Sequence, residues 1–191
     1  MPIEAILPAV AWAIPLILFC APAELMMLAS SVLLHEGGHL LGFAITHEPP
    51  PTPAAVAAGL ILTPKRPLPY RHELLIALLG PLANLCAAAI FLGLARAPGA
   101  LATLGAIHLL SALANLIPLP KTDGSRILFD ILALLLPLRI AEGICRAVSG
   151  ITFCALLFLT LFLLLIPGSL APFLLLGMLV LRAVSLSPPG P

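Results

Sequence analysis

Long apolar stretches alternate along this chain with short polar or proline-rich breaks. A helix needs about 20 apolar residues to cross a bilayer, and about six stretches come near that length. They cover residues 3–20, 24–46, 72–95, a region within 101–138, 147–166 and 170–184. The fourth region is too long for one straight span, and Pro118 and Pro120 break it. The pattern predicts an all-α membrane protein with about six transmembrane helices.

The segment between the second and third stretches has a different character. Residues 48–53 are rich in proline and cannot form a regular helix, and residues 54–63 are small and apolar but too short to span as a helix. Extended backbone at membrane depth needs protein around it. We therefore predict a short membrane-associated β-strand or hairpin here.

Composition agrees with lipid as the main solvent. Hydrophobic residues make up 61% of the 191 residues and charged residues only 9%, whereas about a quarter of an average soluble domain is charged. A soluble chain of this size has too much surface to hide so many apolar side chains. The net charge of +1 does not suggest a nucleic-acid partner.

Basic residues predict the orientation of the spans. With six spans, most of the basic loop residues fall on the side that holds both termini, and Arg96 falls on the other. Those on the first side are Lys65, Arg66, Arg71, Arg139, Arg146 and Arg182. Because cytoplasmic loops carry the excess of Lys and Arg, we expect both termini in the cytoplasm.

The second stretch contains the sequence HEGGH, from His35 to His39. Residues four apart share one face of a helix, so both imidazoles can bind one zinc ion. Glu36 points away from that face and can act as the general base toward water. Two histidines and a carboxylate are costly to bury in a membrane helix, which makes chance placement less probable. The alternative is that these side chains only form hydrogen bonds between helices.

Two similar pairs lack the second histidine. His47-Glu48 precedes three prolines, and His72-Glu73 has Ile76 at the required position. We interpret both pairs as ordinary polar residues at membrane borders.

A catalytic zinc usually has three protein ligands and one open position. Asp123 is the best candidate for the third ligand, because prolines unwind the helix before it and Gly124 lets the backbone turn sharply. Asp123 could instead, or in addition, N-cap a helix that starts at Ser125. His108 and Asp130 are weaker alternatives as ligands.

Three pieces of the chain together resemble the site-2 protease family of intramembrane zinc metalloproteases. They are HEGGH, the sequence GPLAN from Gly80 to Asn84, and the segment NLIPLPKTDG from Asn115 to Gly124. Their order and spacing agree with the family over residues 24–135. The chain looks most similar to the compact branch that contains the stage IV sporulation protein FB. In that branch we expect one transmembrane metalloprotease domain over residues 1–191, with no CBS or PDZ domain.

The resemblance implies roles for individual residues. It implies that His35, His39 and Asp123 bind Zn²⁺ and that Glu36 is the general base. It also implies that Asn84 and Asn115 bind the substrate or the developing oxyanion. From the residues alone, asparagines buried in membrane helices more often hold helices together.

The expected activity is that of a zinc metalloendopeptidase. It would hydrolyse peptide bonds of transmembrane or membrane-associated proteins, and the family adds sporulation and a membrane-tethered transcription-factor precursor as possibilities. A helical substrate must unwind before cleavage, and the segment 54–63 could pair with it as an added strand. Lys121 and Thr122 replace a commoner apolar pair, and Ser125 replaces a common second glycine. The alternatives are a zinc transporter or channel and an inactive membrane scaffold.

Overall fold

The structure is a computed structural model that describes residues 21–56, 59–120 and 122–165. The spans expected at 3–20 and 170–184 lie outside the described residues. Within them the chain forms helices α1 (Pro22–Ile45), α2 (Tyr70–Leu94), α3 (Ala100–Leu116), α4 (Asp123–Leu135) and α5 (Leu138–Leu164), and strands β1 (Thr52–Val56) and β2 (Gly59–Thr63). The chain divides into two compact units, Met1–Leu116 and Ile117–Pro191.

The described helices follow the predicted apolar stretches, with one difference. The region 101–138 is broken before Asp123, as the prolines predict. Helix α5 begins at Leu138 rather than near residue 147, because Pro137 supplies an extended N-cap and the helix continues from it. Arg139 and Arg146 therefore lie inside a helix, and their assignment to a loop was wrong.

Two described helices are long and apolar enough to cross a membrane, namely α2 and the part of α5 that covers Leu138–Leu163. In the most apolar part of α5 only 6% of the residues are buried. A continuous apolar face of this size is unfavourable in water and suits lipid tails. These features are those of a membrane protein. Helix α1 is not one of these two, and it carries the polar residues of HEGGH.

Helices α1, α2 and α3 form the helical core of the first unit, and small residues let them approach closely. A Cβ at Gly38 would overlap the backbone of Leu79, and one at Gly42 would lie 2.8 Å from the Cα of Ile76. Gly105 of α3 approaches Leu92 of α2 in the same way. Small residues at helix contacts are typical of membrane bundles, where close backbone packing replaces the hydrophobic effect.

Strands β1 and β2 lie between α1 and α2 along the chain. They pair antiparallel, with Thr52 opposite Thr63 and Val56 opposite Gly59. Proline-rich sequence precedes them, and His47, with φ 54°, turns the chain away from the end of α1. The amide of Glu48 then donates to the carbonyl of Phe43 at 3.0 Å, which closes the last turn of the helix.

Glu48 joins the two ends of the β1–β2 segment. Its carboxylate accepts hydrogen bonds from Nη2 of Arg66 at 2.7 Å and from Nδ1 of His72 at 2.8 Å. The Glu48 side chain is 4% exposed, so these bonds replace water that it has lost. The interpretation of His72 and Glu48 as ordinary polar residues therefore missed a structural cluster.

This cluster gives the fold a defined dependence on pH. The hydrogen bond from His72, followed by that from Arg66, holds the pKa of Glu48 below its ordinary value of 4.5. A carboxyl whose pKa is lower in the folded state stabilises the fold above the ordinary pKa and loses that contribution as pH falls through the lowered value. We expect the melting temperature in detergent to fall as the pH drops below about 4.5, and to fall less in Glu48→Gln.

Glu142→Gln is the matched control, because Glu142 is an exposed carboxylate on α5. It should keep the pH profile of the wild type. An unchanged slope in Glu48→Gln would show that the cluster contributes nothing to the acid sensitivity.

In the second unit, Thr122 organises the turn that leads into α4. Its hydroxyl donates to the carbonyls of Ile117 and Leu119, at 2.6 and 2.8 Å, and accepts from the amide of Ser125 at 3.3 Å. The side chain is therefore the N-cap of α4. Thr122 therefore has a structural role at the start of α4.

Candidate metal centre

His35 and His39 bring two imidazole nitrogens to one point on α1. Both residues are buried, and their Nε2 atoms lie 3.2 Å apart. The rings meet edge to face, with an interplanar angle of 89°. The helical repeat alone accounts for this, because residues four apart lie one above the other on the same face. The sequence-based prediction that HEGGH forms a helix with paired imidazoles agrees with this geometry.

A hydrogen bond to α2 sets the tautomer of a neutral His39. Its Nδ1 lies 2.8 Å from the carbonyl oxygen of Ile76, which can only accept. The proton of a neutral His39 is therefore on Nδ1, and the lone pair on Nε2 is available to a ligand. Metal-binding histidines commonly donate their other ring nitrogen in this way.

The imidazoles fit the coordination of zinc. Two nitrogens that are each about 2.0–2.1 Å from one tetrahedral ion lie roughly 3.3–3.4 Å apart. The Nε2 separation of 3.2 Å is close to this value. Two imidazole nitrogens directed at one point also suit zinc chemically.

Gly80 makes room for both rings. A Cβ at this position would overlap the imidazole of His39 and lie 3.0 Å from Cε1 of His35. The next residue, Pro81, cannot donate the hydrogen bond that would close the helix onto the carbonyl of Ala77. Gly80 of the GPLAN sequence therefore has a direct steric role at the histidines.

Glu36 follows the first histidine on α1 and is half-buried, next to the exposed Gly37. One residue along a helix turns the side chain by about 100°, so Glu36 leaves α1 on a different face from the histidines. A carboxylate in this position can hold a water molecule and take its proton without competing as a ligand.

Asp123 lies in the second unit and is buried, with 7% of its surface exposed. It is the first residue of α4, directly after the cap residue Thr122. The alternative that Asp123 N-caps this helix was therefore wrong, because the helix begins two residues earlier than the sequence suggested. His108 and Asp130, the weaker alternatives as ligands, are also buried.

The two asparagines differ in their surroundings. Asn84 is fully buried, and its Oδ1 accepts from Nδ1 of His108 at 2.9 Å. The Nδ2 of Asn115 donates to the carbonyl of Ser111 in its own helix at 3.0 Å. Asn84 therefore links α2 to α3, as asparagines in membrane helices often do, whereas this hydrogen bond of Asn115 stays within its own helix.

Sequence reasoning missed the partner of Asn84 and a further buried group. Ser31 is fully buried one turn before His35, and its hydroxyl has no hydrogen-bond partner among the described residues. Its spacing of four from His35 was a signal that could have found it, since it continues the face of the two histidines. Nothing in the sequence pairs Asn84 with His108, which is 24 residues away.

Comparison with known proteins gives a likeness in fold. No family model matches the chain, and no curated protein sequence matches it. Among solved structures, the site-2 protease from Methanocaldococcus jannaschii is similar, with a TM-score of 0.68 and 24% sequence identity. The likeness covers 99% of this chain and 90% of that protein. The chain therefore shares its fold with that site-2 protease.

Proposed function

We propose that this protein is a zinc-dependent endopeptidase that cleaves membrane proteins within or beside the bilayer. The observation that carries the proposal is the pair of Nε2 atoms 3.2 Å apart, with the proton of His39 held on the other side of its ring. The fold of a site-2 protease and the membrane-spanning character of α2 and α5 support it.

We propose Asp123 as the third ligand of the ion. The sequence favours Asp123 for this role, because prolines break the chain before it and Gly124 follows it. A carboxylate added to two imidazoles leaves one tetrahedral position open, as catalytic zinc requires.

Individual residues have separate roles in the proposed reaction. Zinc, when bound, would make water more acidic and polarise the substrate carbonyl. Glu36 takes the proton from the attacking water and delivers it to the leaving amine. Asn84 offers an amide donor to the substrate, and Asn115 has the same role in a weaker form because its amide already bonds its own helix.

The β1–β2 pair suggests how the substrate is presented. A helical segment hides its amide bonds, so it must unwind before cleavage. We propose that an edge of this pair adds the unwound segment as a further strand. Three finer expectations rest on the sequence alone: membership of the compact branch, cytoplasmic termini, and a membrane-tethered transcription-factor precursor as the substrate.

The proposal is tested by zinc content and cleavage together. Protein purified in detergent should hold about one zinc ion per chain and cleave some members of a set of synthetic transmembrane peptides, as seen by mass spectrometry. Asp123→Ala should lower the zinc affinity and abolish cleavage, while Asp130→Ala should keep both if Asp123 is the ligand. Stoichiometric zinc with zinc flux across proteoliposomes and no cleavage would instead favour a transporter.

A further inference from the structure

Asn84 and His108 form a fully enclosed polar pair between α2 and α3. Asn84 is 0% exposed and His108 is 2% exposed, and the Oδ1 of Asn84 lies 2.9 Å from the Nδ1 of His108. An amide oxygen can only accept, so Nδ1 carries the proton and donates it. With this bond, the Oδ1 end of the Asn84 amide faces α3.

The other polar atom of the Asn84 amide, Nδ2, is not used by this hydrogen bond. The Nδ2 of Asn84 is buried and has no hydrogen-bond partner among the described residues. Buried polar atoms in native proteins nearly always have a partner, and an exception usually marks a ligand or water site. If Asn84 served only to join the helices, a single bond to His108 would leave this donor unexplained.

The position of Asn84 along α2 indicates what the donor is for. Helices α1 and α2 run antiparallel, since Gly42 meets Ile76 and Gly38 meets Gly80. Asn84 lies four residues beyond Gly80 on α2, which corresponds to four residues before Gly38 on α1. That is the level of Leu34, next to His35. Asn84 also leaves α2 on the same face as Gly80, which touches both imidazoles.

We propose that His108 is a positioning residue that holds the Asn84 amide with Nδ2 turned away from α3, so that Nδ2 donates to a main-chain carbonyl of a peptide bound beside His35. This inference rests on the proposed function. Phe91 supports the imidazole from α2, with ring centroids 5.5 Å apart, and so limits its rotation. His108 acts through Asn84 and touches neither the ion nor the peptide.

The test compares His108→Asn with His108→Leu. The asparagine amide places an N–H near the position of Nδ1, whereas leucine removes the donor. With a cleavable transmembrane peptide, His108→Leu should raise KM roughly threefold to tenfold, the effect of one neutral hydrogen bond, with kcat little changed. His108→Asn should restore KM to within about twofold of the wild type. Phe91→Leu removes the ring that supports His108 and leaves the donor in place, so it should raise KM less than His108→Leu does.

A second readout is independent of activity. In a Glu36→Gln background, the ¹⁵N side-chain resonance of Asn84 should shift when the peptide is added. The shift should be absent with His108→Leu and present with His108→Asn, and zinc content should be equal in all variants.

Three results would overturn the inference: equal KM in all variants, an Asn84 resonance that does not shift when the peptide is added, or an Nδ1 of His108 without its proton. Wild-type protein that neither binds nor cleaves any peptide would reject the proposed function itself. Cleavage by the wild type with a normal KM in His108→Leu would reject the inference alone.

Discussion

Glu36→Gln is expected to abolish measurable peptide cleavage, with a loss of about 10²–10⁴-fold, and to leave zinc bound. Glutamine has nearly the same shape as glutamate but cannot accept a proton from water. The ligand nitrogens of His35 and His39 lie on another face of α1 and should be unaffected. Cleavage of a transmembrane peptide by mass spectrometry, together with zinc content by elemental analysis, measures both parts of the prediction.

Glu24→Gln is the matched control on the same helix. Glu24 lies in the first turn of α1 and accepts a hydrogen bond from the amide of Ala21, far along the helix from the histidines. The Glu24→Gln variant should cleave the peptide normally, with at most a small change in stability. Normal cleavage by Glu36→Gln would show that another group moves the proton and would reject the proposed mechanism.

Gly80→Ala should disrupt the metal centre even though residue 80 carries no ligand. The added methyl group would overlap the imidazole of His39 and press on that of His35. Either the rings shift and the paired nitrogens separate, or α2 moves away from α1. Overpacking of this kind costs about 1–3 kcal/mol, so we expect a lower melting temperature together with a large loss of zinc and of cleavage.

Gly93→Ala provides a closely matched control. Gly93 also lies in α2, and a Cβ there would meet nothing within 4 Å. Alanine is favoured over glycine in a helix by about 0.5–1 kcal/mol, so this variant should be equally stable or more stable than the wild type. It should keep its zinc. Full zinc occupancy in Gly80→Ala would mean that the rings do not need the space that this glycine leaves.

Local sequence predicted much of the metal centre because its geometry is local. The spacing of four between His35 and His39 fixes their common face through the helical repeat, and no distant contact is needed. The break before Asp123 was predictable for the same reason, since proline removes backbone donors wherever it occurs. The boundaries were less certain. The sequence suggested that α4 starts at Ser125 and that α5 starts near residue 147. The capping side chain of Thr122 places the first start at Asp123, and Pro137 places the second at Leu138.

The sequence by itself thus determined the apolar helices, the paired imidazoles with their neighbouring carboxylate, and the proline break. Only the tertiary structure decided how those groups are held. The carbonyl that sets the proton of His39 belongs to Ile76, the partner of Asn84 is 24 residues away, and Glu48 closes the β1–β2 segment through Arg66 and His72. Such contacts join residues on different helices or loops, so they depend on how the chain folds back on itself, and no periodic pattern records them.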